Sequence, residues 1–178
     1  MRNKFRLSRV LIISLILSLG LLPAGLTLAQ ETTSVSVSAP SQVNSGEQFT
    51  VDVLVDPGTS IAGVQFDLVF DPSLVTVDSV AEGNLLSQGG ATTYFSPGMT
   101  DNVSGTVSAV FGAITTPGQT VSAAGTFATI TLTAGAGSGT CSLTLSGVVV
   151  GDIDGQSVPV SVVNGQVIIN QPPSLGGG

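Results

Sequence analysis

The chain has 178 residues, with 11 carboxylates, four basic residues, no histidine and a formal charge of −7. All four basic residues, Arg2, Lys4, Arg6 and Arg9, fall in the first nine positions. Beyond Arg9 there is no cation to hold nucleic acid phosphates, no histidine triad or histidine metal site, no Schiff-base lysine and no side-chain ion pair.

Residues 1–29 read as a secretory signal peptide. Arg2 to Arg9 is its positive zone, Val10 to Leu22 is a 13-residue run broken only by Ser14, Ser18 and Gly20, and Pro23 ends it. Leu26-Thr27-Leu28-Ala29 supplies small residues before a cut, so cleavage after Ala29 is expected. The run is shorter than the roughly 20 residues a membrane span needs. The alternative is an uncleaved N-terminal anchor. No other segment is apolar for long enough to span, and no cysteine near the cut offers a lipid site. The expected product is secreted or held at the cell surface. At about 149 residues it is one domain with room for a sizeable core.

That domain, residues 30–170, reads as all-β. Val, Thr, Ser and Gly dominate, and helix surface formers are scarce. Period-two alternation recurs along the chain. Val35 and Val37 share one face, then Phe49, Val51, Val53 and Val55. In 62–70, Val64, Phe66, Leu68 and Phe70 point inward, and Gly63, Gln65, Asp67 and Val69 outward. Val107, Ala109 and Phe111 form the next expected inward set, followed by Ala128, Ile130 and Leu132. Cys141 alternates with Leu143 and Leu145 and reads as a small buried hydrophobe. Val158, Val160 and Val162, then Val167 and Ile169, close the domain. Asp56-Pro57-Gly58, Asp71-Pro72-Ser73, Pro97-Gly98, Pro117-Gly118 and Asp154-Gly155 are turn formers. Asn164-Gly165 is a hairpin signal. Eight or nine short strands in one domain predict a two-sheet sandwich. Residues 171–178, proline then glycine, read as a linker or loose tail.

Asp152-Ile153-Asp154-Gly155 has the spacing that opens a calcium loop, but no carboxylate follows Asp154. Asp152 and Asp154 are therefore weak metal candidates, and no metal is assigned. Asn102-Val103-Ser104 is a glycosylation triplet. Paired carboxylates can hydrolyse glycosides, yet no two of the 11 stand apart, and the chain has one tyrosine and no tryptophan. An enzyme is not expected, nor is an aromatic strip for cellulose.

Four stretches carry a family resemblance. Ile61-Ala62-Gly63-Val64-Gln65-Phe66-Asp67-Leu68-Val69-Phe70-Asp71-Pro72 resembles the third-strand signature of cohesin modules, and Val80-Ala81-Glu82-Gly83-Asn84-Leu85-Leu86 follows at the family's spacing. Gly125-Thr126-Phe127-Ala128-Thr129-Ile130-Thr131-Leu132 and the closing run from Val149 to Ile169 are similar to later cohesin strands. The likeness covers about residues 33–170. It implies a jelly-roll β-sandwich of about nine strands, in a superfamily shared with carbohydrate-binding modules. It implies a non-catalytic partner for dockerin-bearing secreted proteins, such as polysaccharide-degrading enzymes, with any calcium carried by the dockerin. By position it places Gly63, Gln65 and Asp67 on the dockerin face, with Tyr94 nearby. The best-known cohesin type has Asn and Asp where this chain has Gly63 and Gln65. Two further readings use the same fold: a polysaccharide-binding module, and a self-assembling cell-surface subunit.

Overall fold

The computed structural model describes residues 31–171. The signal peptide read at 1–29 and the tail beyond Gln171 lie outside the described residues.

Among the described residues, twelve strands stack as two sheets. One sheet has β11 (Val160–Val163), β1 (Thr33–Ser38), β3 (Gln48–Asp56), β9 (Gly125–Ala134) and β5 (Val75–Glu82), in that order. The other has β2 (Gln42–Asn44), β12 (Gly165–Asn170), β10 (Gly139–Gly151), β4 (Gly63–Val69), β8 (Thr106–Ile114) and β6 (Thr93–Ser96), and β7 (Met99–Asp101) also pairs with β8. Pairing is antiparallel except for β1 with β11 and β2 with β12. The result is the expected jelly-roll sandwich. It has more strands than the alternation suggested because β5 was not among the alternating runs, and β2, β6 and β7 are short segments of three or four residues.

Inward residues of both sheets form one core, with Val35, Val51, Val53, Phe66, Leu68, Ile130, Leu132, Leu143 and Ile169 all buried. Its aromatic centre is Phe127, which meets Phe66 and Phe95 edge-on at 5.9 Å each, an arrangement favoured by ring quadrupoles. Gly112 lies under this cluster. A Cβ there would stand 2.8 Å from the Phe127 ring, so the close approach requires glycine.

With no Lys, Arg or His in residues 31–171, donors for the carboxylates come from hydroxyls, side-chain amides and backbone amides. Thr129 donates to Asp52 at 2.6 Å, and Thr133 to Asp78 at 2.7 Å. Asp71 accepts from the Ser73 hydroxyl and amide, and these two bonds hold its pKa below the usual value. Asp101 is lowered likewise by the Ser104 and Val103 amides. Charge-assisted bonds of this kind are the stronger class.

Three sequence expectations change. Asn164-Gly165 is no hairpin: β11 joins β1 in one sheet, while β12 joins β10 in the other. Asn164 turns the corner, and its Oδ1 accepts from the Leu145 N–H at 3.0 Å, replacing the strand partner that has left. Val162, expected inward, is exposed on the edge strand β11. In β8, Ala109 and Phe111 face outward and Val110 is buried. The cause is a register shift opposite Phe66 and Leu68, with Ala109 at φ +58°. One extra residue reverses the parity of the strand.

Candidate partner-binding face

The outer face of β10, β4, β8 and β6 carries two adjacent rows. Ser96, Phe111, Gln65 and Val149 are successive cross-strand neighbours, and so are Tyr94, Ala113, Gly63 and Gly151. The second row is small at its centre. Ala113, Gly63 and Gly151 therefore floor a shallow trough of about 310 Å³. Gln65, Phe111 and Val149 wall one side. Ile153 closes the end, carried by the loop after β10. Tyr94 is 57% exposed, Phe111 37%, Val149 47% and Ile153 51%. The Tyr94 and Phe111 rings lie 6.2 Å apart, tilted by 48°. These large apolar side chains cluster around small ones, unlike the single, scattered ones normal on a sheet exterior.

Three of the residues expected to share this face, Gly63, Gln65 and Tyr94, do come together. Gly63 tolerates little: a Cβ there would meet the Gly112 carbonyl oxygen at 3.3 Å. Asp67 lies two residues further along β4, outside the trough, and accepts a 2.6 Å bond from the Ala109 N–H. Phe111, Val149 and Ile153 were missed. Phe111 was assigned inward by strict alternation. Val149 sits in a Val148-Val149-Val150 run that has no period to read. The signal available for Phe111 was the pair Val107 and Val110, three apart rather than two.

The Asp152–Asp154 loop is a capped turn. Asp152 Oδ1 accepts from the Asp154 N–H at 2.9 Å and the Gln156 N–H at 2.8 Å, with Gly155 at φ +74°. The loop thus presents Ile153 to the trough. Among the described residues, no three Asp, Glu, Cys or His side chains gather closely enough to hold a metal ion. No described helix is long and apolar enough to cross a membrane. Cys141 is buried in the core, and burial pushes its thiol pKa up.

The fold and this face define a jelly-roll β-sandwich module that displays an apolar trough on its larger sheet. The chain belongs to the cohesin domain family, whose model matches residues 33–169. No curated protein sequence matches it. Among solved structures, it is similar to a non-cellulosomal cohesin from the archaeon Archaeoglobus fulgidus, at 20% identity and TM-score 0.61, covering 78% of this chain and 91% of that one. It is similar to the sixth cohesin of Acetivibrio cellulolyticus scaffoldin B, solved with a Cel5 dockerin, at 17% identity and TM-score 0.64, covering 78% and 99%. A type I cohesin–dockerin complex from Clostridium thermocellum gives the same identity, coverages and TM-score.

Proposed function

We propose that residues 30–170 form an exported, non-catalytic module that binds dockerin-bearing proteins through the β10-β4-β8-β6 face. In this reading residues 1–29 direct export, and residues 171–178 are a linker or tail. Gly63, Gln65 and Tyr94 are contact residues, joined by Phe111, Val149 and Ile153. The observation that carries the proposal is the trough itself, in a chain of the cohesin family. Its small floor admits an aliphatic side chain from a partner helix, its aromatic rim excludes water around that anchor, and such desolvated anchors dominate protein interfaces. Calcium belongs to the dockerin in this scheme, and polysaccharide is met through the enzyme the dockerin carries.

The polysaccharide reading is weaker on geometry. Stacking on a flat glycan chain needs coplanar exposed rings, whereas Tyr94 and Phe111 are tilted by 48°. The test is titration calorimetry of the exported protein against dockerin modules encoded in the same genome, with calcium present. At least one should bind, chelation of calcium should abolish binding, and Tyr94→Ala or Gln65→Ala should weaken it by about 30-fold or more, the size of a hot-spot loss. No binding to any dockerin, with retention on cellulose, chitin or xylan that Tyr94→Ala removes, would establish the glycan reading instead.

A further inference from the structure

We infer that Asp67 is a positioning residue, whose carboxylate holds the left-handed backbone at Ala109 and so keeps the Phe111 ring on the outer face. The dockerin-binding consequence rests on the function proposed above; the positioning itself does not.

Strict alternation from buried Val107 would turn Phe111 into the core. What prevents this is one extra residue on β8: Leu68 pairs with Val107 and Phe66 with Val110, so two steps on β4 face three on β8. The extra residue is accommodated at Ala109, the one non-glycine with positive φ among the described residues, at +58°. Side chains other than glycine, asparagine and aspartate visit that region rarely. The Ala109 N–H needs an acceptor there, because a bulge breaks the local ladder. Asp67 Oδ1 supplies it at 2.6 Å, from the middle of the two β4 positions that bracket the bulge.

The same carboxylate faces a second irregularity on its other flank. Gly147 of β10 has φ +57°, and a Cβ there would stand 2.9 Å from Asp67 Oδ2. β10 shifts register between Ser146 and Val149. Past that shift Val149 faces outward beside Gln65, whereas alternation from buried Leu145 would turn it inward. One side chain thus sits between the two bulges that turn Phe111 and Val149 outward. Glycine takes positive φ at 147 without Cβ strain, whereas alanine at 109 does not and receives the Asp67 bond, which makes the β8 bulge the one that depends on Asp67.

Solution NMR of the exported protein tests this. Unmodified protein should show a through-hydrogen-bond coupling between the Ala109 amide nitrogen and the Asp67 carboxylate carbon, and contacts between Tyr94 and Phe111 ring protons. Asp67→Ala should lose the ring contacts and weaken dockerin binding by about tenfold or more. Asp67→Asn keeps an oxygen acceptor and should keep both. Asp67→Ala combined with Ala109→Gly should recover the ring contacts, because glycine holds the turn unaided; it also serves if the single variant does not fold. Absence of the coupling overturns the inference. So do ring contacts that survive in Asp67→Ala, and loss of binding with the contacts intact would make Asp67 a direct contact. If no dockerin binds even the unmodified protein, the proposed function fails while the ring contacts still decide the role of Asp67.

Discussion

Asn102 closes both backbone groups of Val77: its Oδ1 accepts from the Val77 N–H at 2.8 Å, and its Nδ2 donates to the Val77 carbonyl at 3.0 Å. Val77 lies on β5, the edge of the five-stranded sheet, where the register slips between Val77 and Ser79. Asn102 comes from the turn after β7, which belongs to the other sheet. One amide side chain therefore stands in for a missing strand and ties the two sheets together at an edge. Open edges are templates for unwanted pairing.

Asn102→Ala should cost about 1–3 kcal/mol, the net worth of two hydrogen bonds at a position whose backbone is then left to water. Urea unfolding followed by circular dichroism measures it. The variant should also aggregate more readily than the parent in light scattering. A midpoint unchanged from the parent would show that Val77 needs no such partner.

Asp71 and Asp101 set a pH dependence whose sign is determined. Both have folded pKa values below the ordinary 3.8. Their contribution is whole above about 3.8 and is lost as pH falls from there through the lower folded values. Asp71→Ala and Asp101→Ala should therefore lower the urea midpoint at pH 6, and the gap from the parent should close as pH falls toward 2. Comparison with the parent at each pH matters, because residues 31–171 carry 11 carboxylates and no base, and acid also relieves their mutual repulsion. A gap that persists unchanged at low pH would assign the loss to packing instead.

Cys141 should be silent to thiol reagents in the native protein. It is fully buried and burial raises its pKa, so the reactive thiolate is doubly scarce. Ellman's reagent should react at the rate of opening in buffer and immediately in high urea. Stoichiometric native labelling within minutes would mean that β10 opens far more easily than its place in the core implies.

Association with a dockerin should slow as salt rises. The described domain is uniformly acidic, so it attracts a basic partner over a Debye length of about 8 Å at physiological strength, shrinking to about 3 Å at 1 M. Stopped-flow rates that stay flat between those conditions would leave the apolar trough as the whole of the attraction. Tyr94, the one tyrosine in a chain without tryptophan, gives the domain a spectroscopic reporter beside Phe111 on this face.

Alternation made β3, β4 and β9 readable, because each buries a face whose residues recur every second position. Val64, Phe66, Leu68 and Phe70 are buried as expected, and so are Ala128, Ile130 and Leu132. Gly63 and Gln65 were therefore placed outward correctly. The reading failed at β8, where the local run from Val107 to Phe111 has no proline or glycine to announce a bulge. It failed again at Asn164-Gly165. A dipeptide suited to a hairpin also suits a corner, and only the partners of the flanking strands tell the two apart. Asp67 was placed outward, as observed, but its bond to Ala109 spans 42 positions and leaves no local trace.

Residue order alone settled the acidic character, the β architecture and the inward set of most strands. These follow from composition and from a period of two, both of which are local. Which side chains surround the trough was decided by tertiary structure. Phe111 and Val149 face outward because each strand gains an extra residue relative to β4, and parity relative to a neighbour does not exist until the strands have paired.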